Sequence, residues 1–93
     1  MIHEILLEGK ENAMSRREIC SLLNMGERDV TLVIERERRE GWPICANSGE
    51  TPGYYIAANR AEMQQYCDRL KHRAGEIFKT RAACLQTLEG LPE

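Results

Sequence analysis

Apolar residues return along this chain at helical spacing, then at strand spacing, then at helical spacing again. Ile2, Ile5 and Leu6 recur three and four apart, with Glu4, Glu8 and Lys10 on other faces. That pattern predicts a short helix over residues 2–9, stopped near Gly9. Residues 10–14 form a connection whose Met14 is expected to point inward. Ser15 followed three residues later by Glu18 is a capping box, and behind it Ile19, Leu22 and Leu23 supply the buried stripe of a second helix. Asn24-Met25-Gly26 breaks that helix, with Gly26 suited to a turn or an N-cap. A third helix starts near Glu27 and turns Val30, Val33 and Ile34 inward. Arg38 and Arg39 in its last turn suit the helix dipole, and Gly41 suits the C-cap. A helix, a short turn containing glycine and a second helix spell a helix-turn-helix.

The period then changes. Trp42-Pro43-Ile44-Cys45-Ala46 and Tyr54-Tyr55-Ile56-Ala57 are β-prone runs on either side of Asn47 to Gly53, a stretch of turn-forming residues. They predict a hairpin with a seven-residue loop, in which Ile44 and Ala46 share one face, as do Tyr54 and Ile56. One face is expected to lie on the helices. Tyr54, Tyr55 and Trp42 are read as packing residues, Trp42 as a plug in the core. Asn59 and Glu62 form a second capping box and open the longest helix, expected to reach about Leu88 with Gly75 as a weak point. Along it Met63, Cys67, Leu70, Ala74, Ile77, Arg81, Cys84 and Leu88 step by alternating fours and threes, a heptad seam.

Composition narrows the function classes. Ninety-three residues make one small domain with one modest core. Thirteen basic and fifteen acidic residues leave a net charge of −2, so any nucleic-acid contact must come from a local patch. No run approaches a membrane span, and Met1-Ile2-His3-Glu4 lacks the basic stretch of a signal peptide, so a cytoplasmic protein is expected. Cys20, Cys45, Cys67 and Cys84 show no metal-ligand spacing, and His3 and His72 are isolated. All four cysteines are read as reduced structural thiols, and no metal or cofactor is expected. Neither a nucleophile–base set nor a phosphate-cradling loop is present, and no enzyme is expected.

The element order is mostly α with a small β-hairpin (α+β): a winged helix-turn-helix over residues 1–58, a long C-terminal helix over 59–89 and a tail over 90–93. Leu22-Leu23-Asn24-Met25-Gly26, then Val30, Ile34, Arg38, Gly41 and Trp42-Pro43-Ile44, then Gly53-Tyr54-Tyr55-Ile56, resemble the N-terminal DNA-binding domain of biotin operon repressors. The run is also similar to small bacterial and prophage winged-helix proteins, and it covers residues 2–58. The resemblance implies a transcriptional regulator, or an accessory factor of mobile DNA, that binds double-stranded DNA. Its third helix would enter the major groove and present Arg28, Thr31, Leu32, Glu35, Arg36 and Arg39. Ser15, Arg16 and Arg17, at the start of the second helix, would hold a phosphate.

Two positions depart from the family pattern. Glu37 stands where a leucine is usual, so that either the third helix is slightly rotated or Val33 and Trp42 fill that part of the core. The wing tip carries Glu50 and no basic residue. Charge also leaves a second reading open. Between residues 15 and 48, six arginines meet six acids, and Glu27, Asp29 and Glu35 lie on or beside the proposed contact face. Such alternation suits a solvated helix surface, or an adaptor that binds protein and not DNA. The last helix is net +3 over residues 60–81, which fits added phosphate contacts or ordinary charge beside a seam. The seam residues Met63, Cys67, Leu70, Ala74, Ile77, Cys84 and Leu88 either fold back on the first helix or join a second copy in a homodimer, the expectation favoured here.

Overall fold

Capping chemistry sets the helix boundaries in the computed structural model, which describes residues 1–48 and 52–93. Helix α1 spans Arg16–Leu23, with the Ser15 hydroxyl oxygen accepting the Glu18 N–H at 3.1 Å and donating in turn to the Glu18 carboxylate. It ends at Asn24, which takes the left-handed conformation that such a cap needs (φ 50°) and that asparagine tolerates. Gly26 is the extended N-cap of α2, Glu27–Arg39, at φ −75°, so the special conformation of the turn falls on Asn24 and not on the glycine. Helix α2 closes in a Schellman motif. Gly41 lies at φ 105°, its N–H reaches Arg38 O, and the Trp42 N–H reaches Glu37 O.

The expected helix over residues 2–9 does not form. Only a 3-10 turn, Ile2–Glu4, is present, and the chain then runs extended along the hairpin. The backbone groups that a helix would use are committed elsewhere: Ile56 N–H donates to Leu7 O, and Gly9 N–H donates to Ile56 O. Ile2 and Leu6 are nonetheless buried, as their apolar character requires. A second 3-10 turn, Lys10–Asn12, leads to Met14, which exchanges two 2.8 Å backbone hydrogen bonds with Tyr54 and packs on the core.

Strands β1 (Ile44–Asn47) and β2 (Gly53–Ile56) pair antiparallel, Ile44 opposite Ile56 and Cys45 opposite Tyr55. The strands are shifted by a residue or two from the predicted runs, and Asn47 and Gly53, read from sequence as loop, pair with each other. Residues 49–51, Glu50 among them, lie outside the described residues. Both faces of the hairpin are covered, where one was expected. Ile44, Tyr54 and Ile56 meet Ile2, Leu6, Ile19, Val30 and Ile34 in the main core. Cys45 and Tyr55 meet Tyr66 and Met63 from the last helix in a second, smaller core. Ala46 packs with this second group and not with Ile44 as predicted, within a short strand whose twist turns its ends away from one plane.

Helix α3 runs Arg60–Glu89, capped by Asn59, whose side chain accepts the Glu62 N–H at 3.0 Å. Glu62 returns a carboxylate to the Ala58 and Lys10 N–H groups, which ties the helix start to the hairpin exit and to the N-terminal segment. Its first two turns pack on the body, and Arg69 in the third donates to Ala46 O of the hairpin. From Cys67 onward every residue is exposed, and the molecule measures 51 × 31 × 28 Å with a radius of gyration of 16.7 Å. A compact chain of this length has a radius near ~12 Å, so α3 projects as an arm and does not fold back. The architecture is α+β: mostly helical, with a two-stranded antiparallel hairpin and a long C-terminal helix.

Candidate nucleic-acid interface

Helix α2 buries Val30, Ile34 and Glu37, residues that share one helical face, and its register fixes what points outward. Arg28, Thr31, Leu32, Glu35, Arg36 and Arg39 are all exposed, as the pattern predicts. At the start of α1, Arg16 and Arg17 are exposed and Ser15 is half-buried by its capping role. A groove of about 300 Å³ runs between this helix start and the hairpin, with Ser15, Arg16, Pro52 and Tyr54 in its lining.

Neighbouring acids divide these cations into two groups. Arg16 lies 3.8 Å from Glu27 across the turn, and Arg39 lies 3.3 Å from Glu35 one turn back. Among the described residues, Arg17, Arg28 and Arg36 have no acid within ion-pair distance and are free to meet an anion. The Thr31 hydroxyl donates to Glu27 O at 3.0 Å, which occupies its proton and leaves its methyl and oxygen for contact. Leu32 is 57% exposed, an apolar side chain standing among the charges.

The departure at Glu37 has a structural answer that neither sequence alternative contained. The helix is not rotated, because Glu37 continues the buried face of Val30 and Ile34, and Trp42 is no core plug, being 44% exposed. The Glu37 carboxylate, 1% exposed, instead accepts the Ile2 N–H at 3.1 Å, the His3 N–H at 3.0 Å and the Met1 amino group at 3.3 Å. His3 Nδ1 also contacts it, and the His3 ring stacks on Trp42 at 3.7 Å. Burial alone would raise the carboxyl's pKa. The His3 and Ile2 N–H groups, the His3 ring and the amino group outweigh it and hold the pKa down at about 2. Glu37 therefore pins the N-terminal segment to α2 and plays no part in the exposed face. Arg38, read from sequence as a dipole partner, is likewise structural. Its Nε donates to Ile44 O at 2.9 Å, and its guanidinium lies over the rings of Tyr54 and Tyr66 at 5.8 and 4.8 Å.

The remaining expectations divide similarly. Cys45 is buried and Cys20 half-buried, but Cys67 and Cys84 are exposed on the projecting part of α3 and are not structural within this chain. Burial pushes the Cys45 thiol upward, which keeps it protonated and unreactive. Of the seam, only Met63 packs on the body. Cys67, Leu70, Ala74, Ile77, Cys84 and Leu88 face solvent together with Phe78 and Leu85, which the heptad reading left out. Among the described residues no His, Cys, Asp and Glu cluster could hold a metal ion, and no helix is long and apolar enough to cross a membrane. No family model, no curated protein and no solved structure matches the chain.

Proposed function

We propose that this chain is a double-stranded DNA-binding protein of the winged-helix class, a transcriptional regulator or an accessory factor of mobile DNA, and that it acts by occupancy in the cytoplasm and not by catalysis. The observation that carries the reading is the free, outward Arg28 in the first turn of α2, on a helix whose inner face is buried and whose neighbour presents the equally free Arg17 at its own start. Arg28 suits bidentate donation to a guanine edge, and the Thr31 methyl suits a thymine. Arg17, Arg36 and the N–H groups opening α1 suit phosphates on either side of the groove. The test is selection from a pool of random duplexes with purified protein. A recurring motif of a few base pairs supports the reading, and a pool unchanged after repeated rounds overturns it.

A second reading has its own support. Leu22 and Leu32 are more than half exposed, and Glu27, Asp29 and Glu35 put negative charge on the α2 surface. That combination suits a protein partner with basic and apolar residues, and it predicts no DNA binding even at low salt.

A further inference from the structure

The apolar stripe of α3 does not stop where its contact with the body stops. Met63 and Tyr66 begin it and pack on the hairpin. On the same side of the helix it continues through Leu70, Ile77, Phe78, Leu85 and Leu88, all exposed, Ile77 by 61% and Phe78 by 68%. These side chains amount to roughly 600 Å² of apolar surface in one strip, the upper end of what a monomer leaves in water. Two such strips facing each other remove roughly 1,200 Å², the lower bound of a standard stable interface.

Charge selects the occupant and its direction. Residues 66–75 carry Asp68 against Arg69, Lys71 and Arg73, a net +2, whereas the last turns of the helix, residues 82–89, carry Glu89, a net −1, with Glu93 in the tail beyond it. Aligned in parallel, two copies set like charge beside like. They also set Arg81 against its own image within the seam, in a stretch, 77–85, that contains no acid. Aligned antiparallel, the stretch that carries Arg69, Lys71 and Arg73 lies along the end that carries Glu89, the helix dipoles oppose, and the two bodies stand at opposite ends. The apolar positions at Phe78 and Leu85 broaden the seam beyond the two-per-heptad strip of a parallel dimer.

We infer that the exposed face of α3 pairs antiparallel with the same face of a second copy of this chain. Leu70 lies on Leu88 of the partner subunit, and Ala74 lies on Cys84 of the partner subunit. This stands apart from the DNA reading, since self-association is measured without DNA. Light scattering of the full chain at tens of micromolar should give twice the 10.7 kDa chain mass. Ile77→Asp with Leu88→Asp should give a single-chain mass. Its near-ultraviolet dichroism should be unchanged, because Trp42 and all three tyrosines lie in the body. A wild-type mass of one chain, or of more than two, overturns the inference. Orientation is read with a short bis-maleimide in a Cys67→Ser background. Ala74→Cys should crosslink to dimer, and adding Cys84→Ser should cut the yield at least tenfold. In a parallel dimer the added change leaves the crosslink intact, because matched positions at 74 face each other, whereas antiparallel copies separate them by about 15 Å along the axis. Persistence of the crosslink overturns the antiparallel arrangement.

Discussion

Glu37 puts a charge on the inner face of α2, and the chain supplies three N–H donors and a histidine ring to meet it. A carboxylate so held makes stability depend on pH in a definite direction. Its folded pKa of about 2 lies below the ordinary 4.5, so its contribution is complete above pH 4.5 and is lost as the pH falls through about 2. The difference corresponds to about 3 kcal/mol. Urea unfolding at pH 7 and near pH 2 should show the wild type losing far more stability than Glu37→Gln, which loses its share at every pH. Parallel curves for the two proteins would remove the carboxylate from the account. On the opposite face of α2, Arg28→Ala should cost about 1–3 kcal/mol at one or two base positions and leave other sequences little changed. Arg17→Ala should weaken all duplexes about equally and flatten the salt dependence. Competition binding against a panel of single-base variants separates the two. The outward set of α2 was legible from the spacing of Val30, Val33 and Ile34. The role of Glu37 was not, because its partners lie more than thirty residues away and are mostly backbone groups, which carry no sequence signal.

Among the elements, capped helices were the most legible. Ser15 with Glu18 and Asn59 with Glu62 each place a helix start within a residue, since a cap is a local bond between neighbours. The N-terminal segment was misread because helical spacing over residues 2–6 records only that Ile2 and Leu6 are buried. What decides its conformation is the open edge of β2, a partner almost fifty residues away. That edge leaves no room for a side chain at Gly53. A Cβ there would stand 2.6 Å from Met14 O, and the obstacle is backbone and not a side chain that can swing aside. Gly53→Ala should therefore destabilise by about 1–3 kcal/mol, by forcing apart the Met14–Tyr54 pair. Gly75, inside α3 with nothing within 4 Å, should behave oppositely, and Gly75→Ala should stabilise by up to about 1 kcal/mol. Thermal unfolding of both variants beside the wild type checks the two signs at once.

At the scale of the whole molecule, the body and the arm obey different rules. The body encloses two small cores on either side of one hairpin, joined by Arg38, which reaches from α2 past Tyr54 to Tyr66. The arm has an apolar face that none of the described residues covers. The heptad seam was legible as far as its existence. The breadth added by Phe78 and Leu85 was not, because it follows from the arm standing clear of the body, which leaves both side chains exposed beside the seam.

Binding of the full chain to a random duplex across a salt series, from about 50 to 300 mM, decides whether the protein engages DNA. If the proposed reading holds, Arg17 and Arg36, with the open N–H groups of α1, would make two or three phosphate contacts per chain. Log K should fall linearly with log salt, with a slope of about −2 to −3 per chain. Absence of binding at the lowest salt, or binding whose strength does not change with salt, would contradict it.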